Sequence, residues 1–248
     1  MKETADHSGA FAPAAAVALD GVRFAWPQSR QGARFSIAID RLIITPGERV
    51  FLEGPSGSGK STLLSLLCGI LSPDSGQIEV CGAPFSALTG GRRDRLRAER
   101  FGIIFQMFNL LPYASPLDNV MLPLTFAPAR AARVGRDREG AARRLMTDLG
   151  LAPEVIEAPR ASSLSVGQQQ RVAVARALIG APDIVVADEP TSALDAGAQE
   201  AFLALLFDQV AEAGATLLMV SHDAALGARF DRRLALTDMA RVSREGAA

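Results

Sequence analysis

Residues 54–62 read Gly54-Pro55-Ser56-Gly57-Ser58-Gly59-Lys60-Ser61-Thr62, which matches the phosphate-loop pattern G-x-x-x-x-G-K-[ST] at every defined position. A short apolar segment, 49–52, precedes this stretch, and an apolar run long enough for a helix, 62–71, follows it. The glycines therefore fall at a strand-to-helix turn, where successive backbone N–H groups and the helix N-terminus attract phosphate. The stretch predicts a site for a nucleoside triphosphate, bound by all of these residues.

The lysine of this stretch is unusual for the chain, because Lys2 and Lys60 are the only lysines among 26 basic residues. A compact ammonium suits phosphate oxygens, so we expect Lys60 to reach the β- and γ-phosphates and the Ser61 hydroxyl to bind Mg²⁺. The alternative is a glycine-rich turn with a surface lysine. It does not explain why an arginine-rich chain keeps an internal lysine at this position.

Composition and charge limit the class of protein. The 248 residues carry a formal net charge of -1, so no overall positive charge favours nucleic acid, and no nucleic-acid partner is expected. Mean hydropathy is high, at +0.17, but the candidate membrane segment 201–220 contains Asp208 and Glu212, so no membrane span is predicted. Cys68 and Cys81 lie in apolar segments without metal-type spacing, which predicts buried, reduced thiols and fits a reducing cytosol.

The segments around the phosphate loop predict an α/β fold. Residues 1–16 lack the pattern of a signal peptide and are predicted to be a disordered tail. Strands at 17–26 and 34–42 predict an antiparallel edge. Later apolar segments in an α/β rhythm predict parallel strands at 184–187, 216–220 and 233–236. The prediction is a single domain, 17–240: a P-loop NTPase core with a mostly parallel sheet, an N-terminal antiparallel β edge, and a proline-punctuated helical insertion at about 107–163.

Acidic and imidazole side chains follow two of the predicted parallel strands. Asp188 and Glu189 come after 184–187, and His222 comes after 216–220. Because the carboxyl ends of parallel strands lie at one edge of a sheet, these residues are expected near the phosphates. One carboxylate would orient the Mg²⁺ shell, the other the attacking water, and His222 would donate a hydrogen bond to the γ-phosphate. Without the phosphate loop, two acids at a strand end would be ordinary solvated residues and a single histidine a structural one.

A further helix N-terminus is predicted at Ser165, which has the spacing of a capping box with Gln168. The segment reads Leu164-Ser165-Val166-Gly167-Gln168 and continues as Gln169-Gln170-Arg171-Val172-Ala173-Val174-Ala175-Arg176-Ala177-Leu178. It resembles the signature segment of the ATP-binding cassette (ABC) of transporters. The order of the motifs also matches that family: the phosphate loop, Gln106, the signature, the acidic pair, Ser192-Ala193-Leu194-Asp195 and His222. The resemblance covers 17 to about 238.

The resemblance implies a site shared by two copies of the chain. Two cassettes would pack head to tail, and each ATP would lie between the phosphate loop of one copy and the signature of the other. Ser165, Gly167 and Gln168 would contact the nucleotide of the partner copy, and Asp195 would lie at the dimer seam. Val166 replaces the glycine that is commoner in the family.

The resemblance also implies roles for Gln106 and Trp26. Gln106 would link the nucleotide to the helical insertion. The catalytic residues would then be Glu189, His222 and Gln106, and the Mg²⁺ ligands Ser61, Gln106 and Asp188. Trp26 is the only tryptophan, and its residue type alone favours the core. The resemblance instead makes it the aromatic residue that stacks on adenine, where the family usually has tyrosine.

One region is similar to cassettes of the lipoprotein-releasing and macrolide-export group. It reads Phe105-Gln106-Met107-Phe108-Asn109-Leu110-Leu111-Pro112, followed by Leu117-Asp118-Asn119-Val120-Met121-Leu122-Pro123-Leu124. The resemblance implies an ATP-hydrolysing subunit that binds an integral membrane permease, peripherally, at the cytoplasmic face of the inner membrane. The apolar residues of 107–124, Phe108 and Leu111 among them, are expected to be exposed for the permease unless they pack on the core of the insertion.

Other functions remain as alternatives. A cassette that regulates a membrane partner without transporting cargo has the same motifs. A soluble ABC protein acting on DNA or ribosomes usually has two fused cassettes or a long coiled-coil insertion, and neither is present in this sequence. The signature segment and the lack of an N-K-x-D motif disfavour a P-loop kinase or GTPase.

Overall fold

The computed structural model describes residues 15–27, 34–55, 57–192 and 194–245. Most of the predicted disordered tail, 1–14, lies outside the described residues, as do Ser56 and Ala193. Ala16 is described. It is buried and its backbone N–H donates to the Ile44 carbonyl, so it extends the strand that follows it.

The described residues form a mixed order of strands and helices that begins with three strands and includes a run of six helices between β5 and β6. In chain order the elements are β1 (Val17–Ala25), β2 (Arg34–Ile44), β3 (Arg49–Glu53), α1 (Lys60–Leu67), β4 (Ser75–Val80), α2 (Gly90–Arg100), β5 (Phe101–Ile104), α3 (Pro116–Met121), α4 (Pro123–Phe126), α5 (Pro128–Val134), α6 (Arg138–Asp148), α7 (Pro153–Ile156), α8 (Val166–Leu178), β6 (Ile184–Asp188), α9 (Ala196–Glu212), β7 (Thr216–Ser221), β8 (Arg232–Ala235), α10 (Leu236–Met239) and β9 (Ala240–Glu245). None of the helices in this part of the chain is long and apolar enough to cross a membrane.

The central sheet is parallel and has the strand order β5-β6-β7-β3-β8. Its register pairs Glu53 with Ser221 and Asp188 with Val220. The carboxyl ends of β3, β6 and β7 therefore lie at one edge. The predicted parallel core is confirmed, and the loops that leave this edge carry the candidate site.

A second, antiparallel sheet has the order β4-β1-β2-β9. Its β1 and β2 pair from Val17 opposite Ile44 to Ala25 opposite Ser36, as predicted for the N-terminal edge. Strand β9 was not predicted. Ala240 is buried, but the only branched apolar side chain, Val242, is 38% exposed, so the sequence has no apolar alternation that would reveal a strand.

Two buried clusters cover the two faces of the parallel sheet. One joins it to α1 and the antiparallel sheet, through residues such as Val50, Leu63 and Ile37. The other joins it to α8, α9 and the helices α3–α7, through residues such as Val185 and Met146. Helices α3–α7 lie within the predicted insertion at 107–163, and they pack on the core through α8.

Two turn residues end elements earlier than the sequence suggests. Helix α1 stops at Leu67 rather than 71, because Gly69 has φ of 63° and a Cβ there would lie 2.5 Å from the Phe85 ring. Cys81 has φ of 49°, so it leaves β4 and is only partly buried, which corrects the expectation of a buried thiol. Cys68 is buried, and burial raises the pKa of its thiol to about 12.

Candidate functional site

The phosphate loop connects β3 to α1, the strand-to-helix turn that its sequence predicts. Gly59 precedes the first helical residue with φ of 103°, and a Cβ there would lie 2.9 Å from the Phe35 ring. Gly57 also has positive φ, at 76°. The Ser58 N–H donates to the Pro55 carbonyl at 3.1 Å, which closes the loop. Glycine is therefore required here both by the backbone angles and by the space available.

The Lys60 side chain is folded beneath this loop. Its Nζ donates to the Gly54 carbonyl at 2.5 Å and to the Pro55 carbonyl at 3.2 Å, and the side chain is almost fully buried. Nζ also lies 3.9 Å from a carboxylate oxygen of Glu189. The ammonium is thus held between the loop and the end of β6, where it would meet an anion bound in the loop.

A buried hydroxyl in the loop fits a phosphate ligand. Among the described residues, Ser58 Oγ is one of few buried side-chain oxygens without a hydrogen-bond partner. Leaving a buried hydroxyl unpaired costs free energy, so this atom is suited to bind an incoming ligand. Ser61 and Thr62, which follow Lys60 on the first turn of α1, are exposed and partly exposed. The residues present therefore fit bound phosphates at this helix N-terminus.

The acidic pair lies at the end of β6, next to Lys60. Glu189 has φ of 47°, and its N–H donates to the Val220 carbonyl at 2.9 Å, so the backbone turns sharply toward β7. Burial raises the pKa of the Asp188 carboxyl, the Glu189 carboxylate raises it further, and Lys60 lowers it. A cation bound beside Asp188 would oppose the cost of burying this charge, and carboxylate oxygens are ligands that Mg²⁺ accepts.

His222 pairs with Glu189 across adjacent strands. Its Nδ1 lies 2.8 Å from Glu189 Oε2, and its side chain is 61% exposed while that of Glu189 is 13% exposed. The contact follows from the register of β6 against β7, because Asp188 lies opposite Val220 and both strands therefore end at the same level of the sheet. The sequence placed these two residues at one edge of the sheet, and the structure brings them into contact.

Gln170, which was not predicted as a site residue, contacts Pro190, the residue after Asp188 and Glu189. Its Nε2 donates to the Pro190 carbonyl at 2.7 Å, and the side chain is 2% exposed. Helical spacing was the available signal, since Ala173, Val174 and Ala177 on the same face are all buried. A glutamine on a buried helix face needs a polar partner, and here the partner is the loop that carries Glu189.

Trp26 follows the end of β1 and lies beside the phosphate loop rather than in the core. It is 44% exposed, it meets Phe24 edge-to-face at 5.3 Å, and its Nε1 lies 3.4 Å from Thr62 Oγ1. The expectation from residue type is therefore wrong. The indole offers an exposed ring beside the first turn of α1, a suitable surface for an aromatic base.

The remaining predicted residues lie on exposed helix and strand ends. Ser165 caps α8 in a capping box: its N–H donates to Gln168 Oε1 at 2.8 Å, and Gln168 N–H donates to its hydroxyl at 3.4 Å. Asp195 caps α9 by accepting from Ala198 N–H at 2.8 Å. Both caps bond within their own helices and are exposed. Gln106 is also exposed and follows β5, the neighbour of β6.

The comparison with protein families decides what this arrangement belongs to. The family model described as ABC transporter matches residues 40–192, which include the phosphate loop, Gln106, the capped helix α8 and the acidic pair. The chain belongs to the ABC transporter family.

Individual members of the ABC family support this assignment. The lipoprotein-releasing system ATP-binding protein LolD 2 of Rhodospirillum rubrum is 45% identical over 195 residues, covering 79% of this chain and 82% of the relative. The macrolide export ATP-binding/permease protein MacB of Rhodopseudomonas palustris is 40% identical over 224 residues, covering 90% of this chain but 33% of that protein. Both are ATP-binding proteins by name.

A solved structure shares the ABC cassette fold. The dimeric ATP-binding cassette MJ0796 in a post-hydrolysis state, bound to ADP and Pi, superposes with a TM-score of 0.77 and is 32% identical. The match covers 94% of this chain and 100% of the other. The predicted ABC ATPase fold is therefore confirmed, and this chain is an ABC-type ATPase.

Proposed function

We propose that two copies of this chain bind ATP head to tail, hydrolyse it with Glu189 as the base, and thereby drive a separately encoded membrane permease. The observation that carries the proposal is the cluster of Lys60, Glu189 and His222 at the carboxyl edge of the parallel sheet. Nucleotide phosphates bound at the N-terminus of α1 would lie at this cluster, because β3 and β7 are neighbours.

The catalytic step would use this chain's own residues as follows. Glu189, whose carboxylate is held by His222 on one side, accepts the proton of a water that attacks the γ-phosphorus, while the bond from that phosphorus to the β–γ bridging oxygen breaks and ADP leaves. Lys60 exchanges its two loop carbonyls for phosphate oxygens and so neutralises their charge. Mg²⁺, when bound by Ser61, Gln106 and Asp188, supplies further charge neutralisation.

The proton state of His222 decides how it acts. A carboxylate only accepts hydrogen bonds, so Nδ1 carries the proton in the contact with Glu189. In a neutral ring Nε2 is then an acceptor. His222 would donate to a γ-phosphate either as an imidazolium or after the contact with Glu189 opens.

Exposed helix ends favour a site completed by a second copy. Ser165, Gly167 and Gln168 surround the N-terminus of α8, where a Cβ on Gly167 would meet no atom within 4 Å. Val166 is 51% exposed and leaves that approach open. A helix N-terminus attracts anions, so this surface suits the nucleotide of the partner copy, with Asp195 at the seam. Trp26 would stack on the adenine of its own copy.

An exposed apolar surface supports docking of a permease on the helical insertion. Met107 and Tyr113 are 80% and 73% exposed, and Phe126 is 63% exposed. Phe126 lines a groove of about 710 Å³ between α2, β5 and the insertion. Phe108 is buried, so the expectation that it is exposed is wrong. The remaining exposed side chains suit a helix of the permease, which would hold this chain at the cytoplasmic face of the inner membrane.

The experiment that tests the proposal separates binding from hydrolysis. Glu189→Gln keeps the shape of the side chain but cannot accept a proton, so ATP binding is retained, hydrolysis falls at least about 100-fold, and the ATP-bound dimer accumulates. Lys60→Ala is the control that should lose binding itself. Hydrolysis rates, ATP titration and light scattering under saturating ATP and Mg²⁺ measure these outcomes. A Glu189→Gln protein that remains monomeric, or that hydrolyses ATP at the normal rate, would refute the proposal.

A further inference from the structure

Arg176 connects α8 to the segment that carries Gln106. Its guanidinium donates to the Phe108 carbonyl at 2.5 Å and to the Asn109 carbonyl at 2.7 Å. The side chain is half-buried, and burial lowers the pKa of its guanidinium. A planar guanidinium presents several N–H donors in a fixed geometry, so it can hold two adjacent carbonyls at once with little loss of side-chain freedom.

The segment that Arg176 holds has an unfavourable backbone conformation. Phe108 and Asn109 have φ of 57° and 49°, two consecutive non-glycine residues in the left-handed region. Such angles persist only where the surroundings enforce them. Two short turn bonds help, from Phe108 N–H to the Phe105 carbonyl at 2.9 Å and from Asn109 N–H to the Met107 carbonyl at 2.6 Å. Both lie within the segment, so its hydrogen bonds to a helix come from Arg176, in addition to the burial of the Phe108 side chain.

We infer that Arg176 is a positioning residue that sets the place of Gln106 at the nucleotide. From α8, its guanidinium holds the carbonyls of Phe108 and Asn109, two residues that follow Gln106 in the chain. The inference rests on the proposed function, in which Gln106 acts at the nucleotide and the other end of α8 meets the second copy. The single helix α8 would then fix two groups: Ser165 at its own N-terminus and, through Arg176, Gln106 after the end of β5.

The chain offers a matched control on the same helix. Arg171 also donates to two consecutive carbonyls, those of Leu149 at 3.0 Å and Gly150 at 3.1 Å, and is likewise partly buried. It holds the end of α6 rather than the segment after Gln106. Replacing either arginine by methionine removes two charged hydrogen bonds, so both variants should lose similar stability.

The test is a double-mutant cycle in the full-length chain. Arg176→Met is expected to lower kcat for ATP hydrolysis about tenfold with KM changed less than twofold, because the phosphate loop is untouched. ATP binding, followed by the fluorescence of Trp26, should keep its midpoint within about twofold. Combining Arg176→Met with Gln106→Ala should add less than a further twofold, since both changes remove the same positioned group. Arg171→Met should leave kcat per folded molecule within about twofold.

Hydrogen exchange supplies a readout independent of activity. The amides of 106–109 should exchange faster in Arg176→Met and not in Arg171→Met, and Arg176→Lys should fall between wild type and Arg176→Met. The inference about Arg176 would be overturned, with the proposed function intact, if the effects of Arg176→Met and Gln106→Ala on kcat multiplied in the double variant. It would also be overturned if Arg176→Met had a normal kcat while Gln106→Ala was slow. A normal kcat for Gln106→Ala would overturn both the inference and the role of Gln106 in the proposed function.

Discussion

Replacing Arg130 by methionine should destabilise the fold more than any change at the protein surface. Arg130 lies on α5, is 1% exposed, and donates to the carbonyls of Phe101, Ala177 and Ile179, with a longer bond of 3.3 Å to Ala98. It therefore joins the helical insertion to the start of β5 and the end of α8. Methionine would fill much of the space of the stem and donate nothing to these carbonyls.

The magnitude follows from two opposing effects. Three buried carbonyls lose their donor, at about 2 kcal/mol each, or about 6 kcal/mol in all. Burial lowers the pKa of Arg130 to about 10, and removing this charge returns about 3 kcal/mol. Because the folded-state pKa is the lower one, this cost is fully present below pH 10 and applies in full at neutral pH. The expected net loss is about 3 kcal/mol of unfolding free energy.

Urea unfolding followed by circular dichroism measures this loss. The matched control is Arg133→Met on the same helix, where an exposed guanidinium donates to the Gly180 and Ala181 carbonyls at 2.8 and 3.0 Å. Those carbonyls can bond water instead, so the control should lose less than about 1 kcal/mol. If the two variants lose equal stability, or if Arg130→Met loses less than about 1 kcal/mol, the buried carbonyls do not depend on Arg130 for their hydrogen bonds.

Two further predictions concern the surfaces of the proposed assembly. Ser165→Arg should leave ATP binding by the monomer within about twofold while hydrolysis falls at least about tenfold, because a bulky cation obstructs the second copy. If Ser165 were only a helix cap, its loss would instead cost about 0.5–2 kcal/mol of stability with normal specific activity. Melting temperature and hydrolysis rate, measured together, distinguish the two outcomes. Met107→Asp and Tyr113→Asp should keep basal hydrolysis and abolish co-purification with the permease from membranes. Ile70→Asp, at a 56% exposed site after α1, should keep both. Permease binding by both Met107→Asp and Tyr113→Asp would move the docking surface elsewhere.

Much of the candidate site was predictable because its residues follow motifs with a fixed spacing. The phosphate loop, Asp188 with Glu189, and the Ser165 capping box all lie at the element ends that the sequence indicates. The contact between Glu189 and His222 was not predictable in detail, because it depends on the register of β6 against β7. The roles of the individual residues stay predictions until the variants are measured.

The sequence by itself determined the α/β class, the strand-to-helix phosphate loop and the family, because each rests on local patterns of glycine, apolar and charged residues. Only the tertiary structure decided which side chains meet from distant parts of the chain. Gln170 with Pro190, Arg176 with Phe108 and Arg130 with Phe101 are all pairings of a side chain with a backbone carbonyl. Every residue has a backbone carbonyl, so the sequence cannot indicate which carbonyl accepts the hydrogen bond from a given side chain. The packing of α8 and α5 against the sheet selects that carbonyl.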